Sequence, residues 1–181
     1  MNDSLSNIES VVVRIVTDKP VRKTPYQVKG VFMKQYPNEP IISMINGKNR
    51  EKYLYPRVQV KILNEQIFLI GLKEGVDPVL SLKEKIQTLD FGNISFNVVD
   101  NESDLSENQL RMTDKLMHYR FLTPWVALNQ STGSKFRKIK KQEKIKFLNM
   151  LLAQNLIFII KEFGSMVDEM VYTKIIVPSL F

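Results

Sequence analysis

The 181 residues carry 26 basic and 19 acidic side chains, a formal charge of +7, with 44% hydrophobic and 25% charged content. That composition suits an ordinary folded chain with one ample core or two small domains. The absence of cysteine excludes disulfides and thiolate metal sites.

The polar, acidic start (MNDSLSNIES) lacks the basic and apolar regions of a signal peptide. The longest apolar run, residues 156–160, is too short to cross a bilayer. The expectation is a cytoplasmic chain with no membrane partner. Its excess charge is concentrated. Residues 135–146 hold Lys135, Arg137, Lys138, Lys140, Lys141, Lys144 and Lys146 against one acid, Glu143, and the rest of the chain is nearly balanced. A focused basic segment points to a polyanion, nucleic acid before membrane.

In chain order, residues 10–17 (SVVVRIVT) are rich in β-branched side chains and predict a strand. Thr24-Pro25 is a helix cap followed by proline at the first helical position. Val28, Val31, Phe32 and Tyr36 share the next helical face, and Pro37 ends it. Residues 38–52 read as a loop. Residues 55–63 alternate, Val58, Val60 and Ile62 opposite Arg57, Gln59 and Lys61, and Asn64-Glu65 turns them into a second strand over 66–72. Asp77-Pro78 starts another helix, with Val79, Leu82, Ile86 and Leu89 at helical spacing. Residues 93–99 alternate as a strand.

The order β-α-β-β-α-β predicts an α+β, ferredoxin-like (RRM-like) domain over residues 1–100. Residues 101–109, almost without apolar side chains, read as a linker. Residues 110–181 read as a second, incomplete ferredoxin-like domain: a strand over 115–121, a long helix over 134–163 ended by Gly164, and a strand over 171–177. The basic segment then opens that helix, where positive charge opposes the helix dipole unless an anion compensates. Solvation of an exposed helix face is the plainer reading of such a run.

His118 is the only histidine, so any acid–base pair needs lysine or tyrosine as its second member. Alternation sets His118 beside Arg120, away from Met117, Tyr119 and Phe121. Trp125 suits either base stacking or a buried corner. No carboxylate cluster has ligand spacing, and no nucleotide-binding glycine motif is present. The expectation is therefore no metal and no cofactor.

Tyr55-Pro56-Arg57-Val58-Gln59-Val60-Lys61 with Ile67-Phe68-Leu69-Ile70-Gly71-Leu72-Lys73-Glu74-Gly75 resembles the YPxxQYK…xxIGIxEG hairpin of CRISPR repeat-RNA endoribonucleases of the RAMP superfamily, b-type subfamily. Residues 119–129 (YRFLTPWVALN) are similar to their YxFxTPWxALN motif, and residues 151–155 (LLAQN) to the LLxxNxL segment. The resemblance implies two tandem ferredoxin-like domains, binding of repeat RNA, and metal-independent cleavage by the 2′-hydroxyl to leave a 2′,3′-cyclic phosphate. It leaves room for a homodimer and for CRISPR effector subunits as partners. The family's glycine-rich GxGxxxSxGFG loop has no counterpart, because no glycine follows Gly164. The loop where the family places its catalytic histidine holds Lys19, Arg22, Lys23 and Tyr26 instead. His118, Tyr26 and Lys23 are then the catalytic candidates. Lys135, Arg137, Lys138, Lys140, Lys141, Lys144, Arg120 and Trp125 are the RNA-binding ones. The rival reading is a non-catalytic RNA-binding or scaffold subunit.

Overall fold

The β-branched run near the N-terminus forms β1 (Asn7–Thr17), the middle strand of a five-stranded sheet. A computed structural model describes residues 7–46, 55–109, 113, 115–121, 128–164 and 171–176. The chain divides into two units, Met1–Met112 and Thr113–Phe181.

In the first unit α1 (Pro25–Gln35) starts on a complete capping box: Thr24 Oγ1 accepts from the Gln27 N–H and Gln27 Oε1 accepts from the Thr24 N–H. A short α2 (Ile41–Ile45) follows inside the stretch expected to be loop. β2 (Val58–Leu63) and β3 (Gln66–Leu72) form the expected hairpin, and both turn residues, Asn64 and Glu65, have positive φ. A 3₁₀ turn (Lys73–Gly75) leads into α3 (Val76–Lys85). That helix stops before Ile86, and Leu89 is buried from a short edge strand, β4 (Thr88–Asp90), rather than from the helix.

The last strand, β5 (Ser95–Gln109), pairs antiparallel with β1, and the sheet order is β2-β3-β1-β5-β4. Without its β4 flap this is the ferredoxin-like arrangement. Helices α1 and α3 cover one face, where Val28, Val31, Phe32, Val79 and Leu82 meet Val11, Val13, Ile15, Ile67 and Leu69 in a single core.

The expected linker is the main correction. Residues 101–109 continue β5, matched against Asn7 to Ile15 of β1. Backbone pairing and polar side chains hold them. Arg14 Nη1 donates to Glu102 at 3.0 Å, Lys83 Nζ to Ser103 at 2.9 Å, and Asn108 Nδ2 to Ser10 at 2.8 Å. Little apolar surface is buried, so the strand left no hydrophobic alternation to read.

The hairpin motif over residues 55–75 proves to be a structural clasp. A Cβ on Gly71 would lie 2.5 Å from the Gly75 carbonyl oxygen, and one on Gly75 would overlap the Arg57 carbonyl oxygen. Both positions therefore exclude side chains. Arg57, expected on the face opposite Val58, Val60 and Ile62, is buried; its Nε donates to Glu74 at 2.8 Å. Gln59 Nε2 donates to the Tyr55 hydroxyl at 2.9 Å.

In the second unit the long helix is two. Asn129 caps α4 (Gln130–Lys138) in a box with Thr132, and α5 (Lys141–Glu162) follows a break at Ile139 and Lys140, whose ψ values of 151° and 149° are extended. Gly164, at positive φ, follows α5 as expected. Residues 115–121 form no strand; Met117, Tyr119 and Phe121 are exposed along with His118 and Arg120. Alternation makes a strand only where a neighbour accepts its backbone hydrogen bonds. Residues 171–176 form none either, although Thr173 Oγ1 donates to the Asn149 carbonyl and the Ile175 N–H to Asn149 Oδ1. No helix among the described residues is long and apolar enough to cross a membrane.

Candidate nucleic-acid interface

The basic segment straddles the α4–α5 break instead of opening one helix. Lys135, Arg137 and Lys138 occupy the last turn of α4, where the dipole favours cations. Lys140 stands at the N-cap of α5 without a side-chain capping bond, and Lys141, Lys144 and Lys146 fall in its first two turns beside Glu143. Only this second group opposes a dipole. Phe136 and Phe147 join the two helices, with ring centroids 6.1 Å apart, and Lys144 Nζ lies 5.0 Å from the Phe136 ring centre. Six of the seven cations are exposed and Lys144 is half-buried. Among the described residues Lys135, Lys138, Lys140 and Lys146 form no ion pair. The result is a bent cationic ridge with an uncapped helix N-terminus at its middle, a surface that suits phosphate oxygens.

The catalytic candidates fall on both units. Tyr26, in the first turn of α1, is 82% exposed. Lys23, just before the cap, holds its ammonium 5.3 Å from the Phe91 ring centre, and Lys19 lies 5.2 Å from that of Phe96. The two rings meet edge to face at 5.5 Å. Between α1 and the β4–β5 turn runs an open groove of about 490 Å³, lined by Lys23, Gln27, Gly30, Val31, Lys34, Asp90, Phe91 and Asn93. His118 and Arg120 sit exposed in the second unit. Trp125 lies outside the described residues. Gln27, Gly30, Lys34 and Asn93 carry no motif in the sequence, although Gln27, Gly30 and Lys34 recur on α1 at spacings of three and four, one face of a helix.

The family comparison follows this division. The Cas6b N-terminal domain family matches residues 6–111 and the Cas6b C-terminal domain family residues 111–179. The chain belongs to the Cas6b family. A crystal structure of Cas6b is 23% identical, with a TM-score of 0.73 over 90% of this chain and 75% of that one. A crystal structure of a CRISPR RNA processing endoribonuclease, Cas6b, is 20% identical, with a TM-score of 0.62 over 90% and 72% of the two chains. At those identities the likeness bears on fold. A search of curated proteins finds no match. On this Cas6b family chain the matching motif residues are largely architectural. Gly71, Gly75, Arg57 and Glu74 build the clasp, and Asn129 caps α4.

Proposed function

We propose that this chain binds CRISPR repeat RNA along residues 135–146 and cuts it without a metal ion. The observation that carries the reading is the exposed cationic ridge on a Cas6b family chain. In the cleavage step the 2′-oxygen forms a bond to phosphorus as the bond from phosphorus to the 5′-oxygen breaks. A base takes the 2′-hydroxyl proton and an acid returns one to the 5′-oxygen, leaving a 2′,3′-cyclic phosphate and a 5′-hydroxyl. Cationic side chains hold the charge that develops on the phosphoryl oxygens. His118 is the candidate for one proton transfer, Tyr26 or Lys23 for the other, and Arg120 and Trp125 are candidate RNA contacts. The reading places the chain in the cytoplasm, where a homodimer and CRISPR effector subunits are its candidate partners. Sizing with and without RNA tests the homodimer, and sizing with added effector subunits tests the second.

One observation favours the non-catalytic reading. Among the described residues no hydrogen bond orients the His118 ring. Incubating labelled repeat RNA with the protein in EDTA decides between them. Cleavage to a cyclic phosphate, slowed roughly a hundredfold or more by His118→Ala or Tyr26→Phe at unchanged affinity, supports the enzyme. Binding without cleavage makes the chain an RNA-binding subunit, and failure to bind overturns the proposal.

A further inference from the structure

Gly30 stands inside α1, where glycine is the least favourable residue after proline. The fold gives no reason for it. Apart from its chain neighbours and the backbone of its own helix, nothing among the described residues would come within 4 Å of a Cβ placed there, unlike Gly71 and Gly75, where backbone oxygens fill that space. A glycine that weakens its helix and relieves no clash draws attention to the space above it. That space is the groove between α1 and the β4–β5 turn.

The groove's lining has the chemistry of a single-stranded nucleic-acid contact. Lys23 and Lys34 stand near opposite ends of an 11-residue helix, about 16 Å long at 1.5 Å per residue. That is longer than one phosphate needs. Gln27 Oε1 is taken up by the Thr24 N–H at 2.9 Å, so the capping box fixes the amide and leaves its NH₂ as a donor. Asn93 adds a second amide. Asp90, the one acid in the lining, has Oδ1 occupied by the Gly92 N–H at 2.7 Å. Phe91 is half-buried under the Lys23 ammonium. A phosphate that drew Lys23 away would uncover the ring for a base. A last-turn lysine such as Lys34 is explained by the helix dipole alone; Gly30 is not.

We infer that this groove holds a short run of single-stranded RNA, with Lys23 and Lys34 on phosphates, Phe91 under a base, and the strand passing over Gly30. The inference rests on the RNA-binding reading but on different residues from the 135–146 ridge. It is tested on the full chain with a labelled uridine oligonucleotide, beside repeat RNA. Gly30→Ala should raise the melting temperature by roughly 2–5 °C while weakening oligonucleotide binding severalfold. Gly30→Leu, which fills the groove, should weaken it at least tenfold, and 4-thiouridine in the oligonucleotide should crosslink to a peptide containing Phe91. Wild-type affinity in both variants overturns the groove. So does an equal loss of polyglutamate binding in Gly30→Leu, which would make the groove a docking place for acidic protein. A wild-type chain that binds neither RNA fails at the earlier reading, and takes the groove with it.

Discussion

Arg57 and Glu74 show how a side chain can be misplaced by periodicity alone. Alternation through residues 55–63 puts Arg57 with Gln59 and Lys61 opposite the apolar row, yet β2 begins only at Val58 and the guanidinium is buried against Glu74, seventeen residues away. A pair across a 3₁₀ turn has no period in the sequence. The Arg57 side chain is 5% exposed, so Arg57→Ala should cost about 2–4 kcal/mol through lost packing and pairing. Glu74 is 53% exposed, and water screens it. Burial pushes its carboxyl up, but its own backbone N–H, the Arg57 hydrogen bond and charge, and Lys73 outweigh that and hold it below the ordinary carboxylate range. A group with a lowered folded pKa stabilises above its unfolded pKa and loses that contribution as pH falls through the folded one. Glu74→Gln should therefore cost about 1 kcal/mol or less at neutral pH, and urea titrations should show the gap closing below about pH 4. A gap that persists at pH 3 would assign the clasp to packing rather than charge.

Turns and breaks carry the next level of error and of opportunity. Asn64-Glu65 was legible as a two-residue turn, and its φ values of 49° and 60° are those that favour Asn-Gly. Glu65 instead accepts from Arg22 Nε at 2.7 Å, a pair whose side chains are 80% and 47% exposed. Such a pair contributes a few tenths of a kcal/mol, while glycine relieves about 1 kcal/mol at a left-handed residue. Glu65→Gly should thus raise stability by about 0.5–1 kcal/mol in urea denaturation, and a loss of that size would mean the ion pair matters more than the backbone. The α4–α5 break was not legible because no proline or glycine marks Ile139 and Lys140. The one available hint was that the apolar period (Ile145, Leu148, Leu152, Leu156, Ile159, Phe163) begins only after it. If the bent ridge tracks an RNA backbone, Lys138, Lys140, Lys141 and Lys144 changed together to Ala should flatten the salt dependence of binding. Each lost phosphate contact should reduce the log–log slope by roughly 0.7–0.9. An unchanged slope in the folded variant would return the segment to solvated surface.

Across the whole chain, what could be read from sequence tracks how much apolar surface each element buries. β1, β2, β3, α1 and α3 bury one face and show it by period; the outer half of β5 buries almost nothing and reads as a linker. The candidate site divides the same way. The 135–146 cluster was visible because charge density needs no fold, whereas the groove on α1 needed β4 and β5 in place to bring Phe91 and Asn93 beside Lys23 and Lys34. The long β5 also decides where the first unit can be cut. Residues 100–109 supply partners for β1 from Asn7 to Val16, and Ser10, buried in that strand, shares hydrogen bonds with Ser106 and Asn108. A fragment ending at residue 100 therefore leaves one flank of the central strand unpaired over nearly its whole length, and unsatisfied backbone groups near a core are costly. A fragment of residues 1–112 should unfold cooperatively, and one of residues 1–100 should not. In the full chain, amides of residues 100–109 that face β1 should exchange roughly a hundredfold or more slower than an open linker. A stable 1–100 fragment, together with free exchange through 101–109, would return that stretch to a linker.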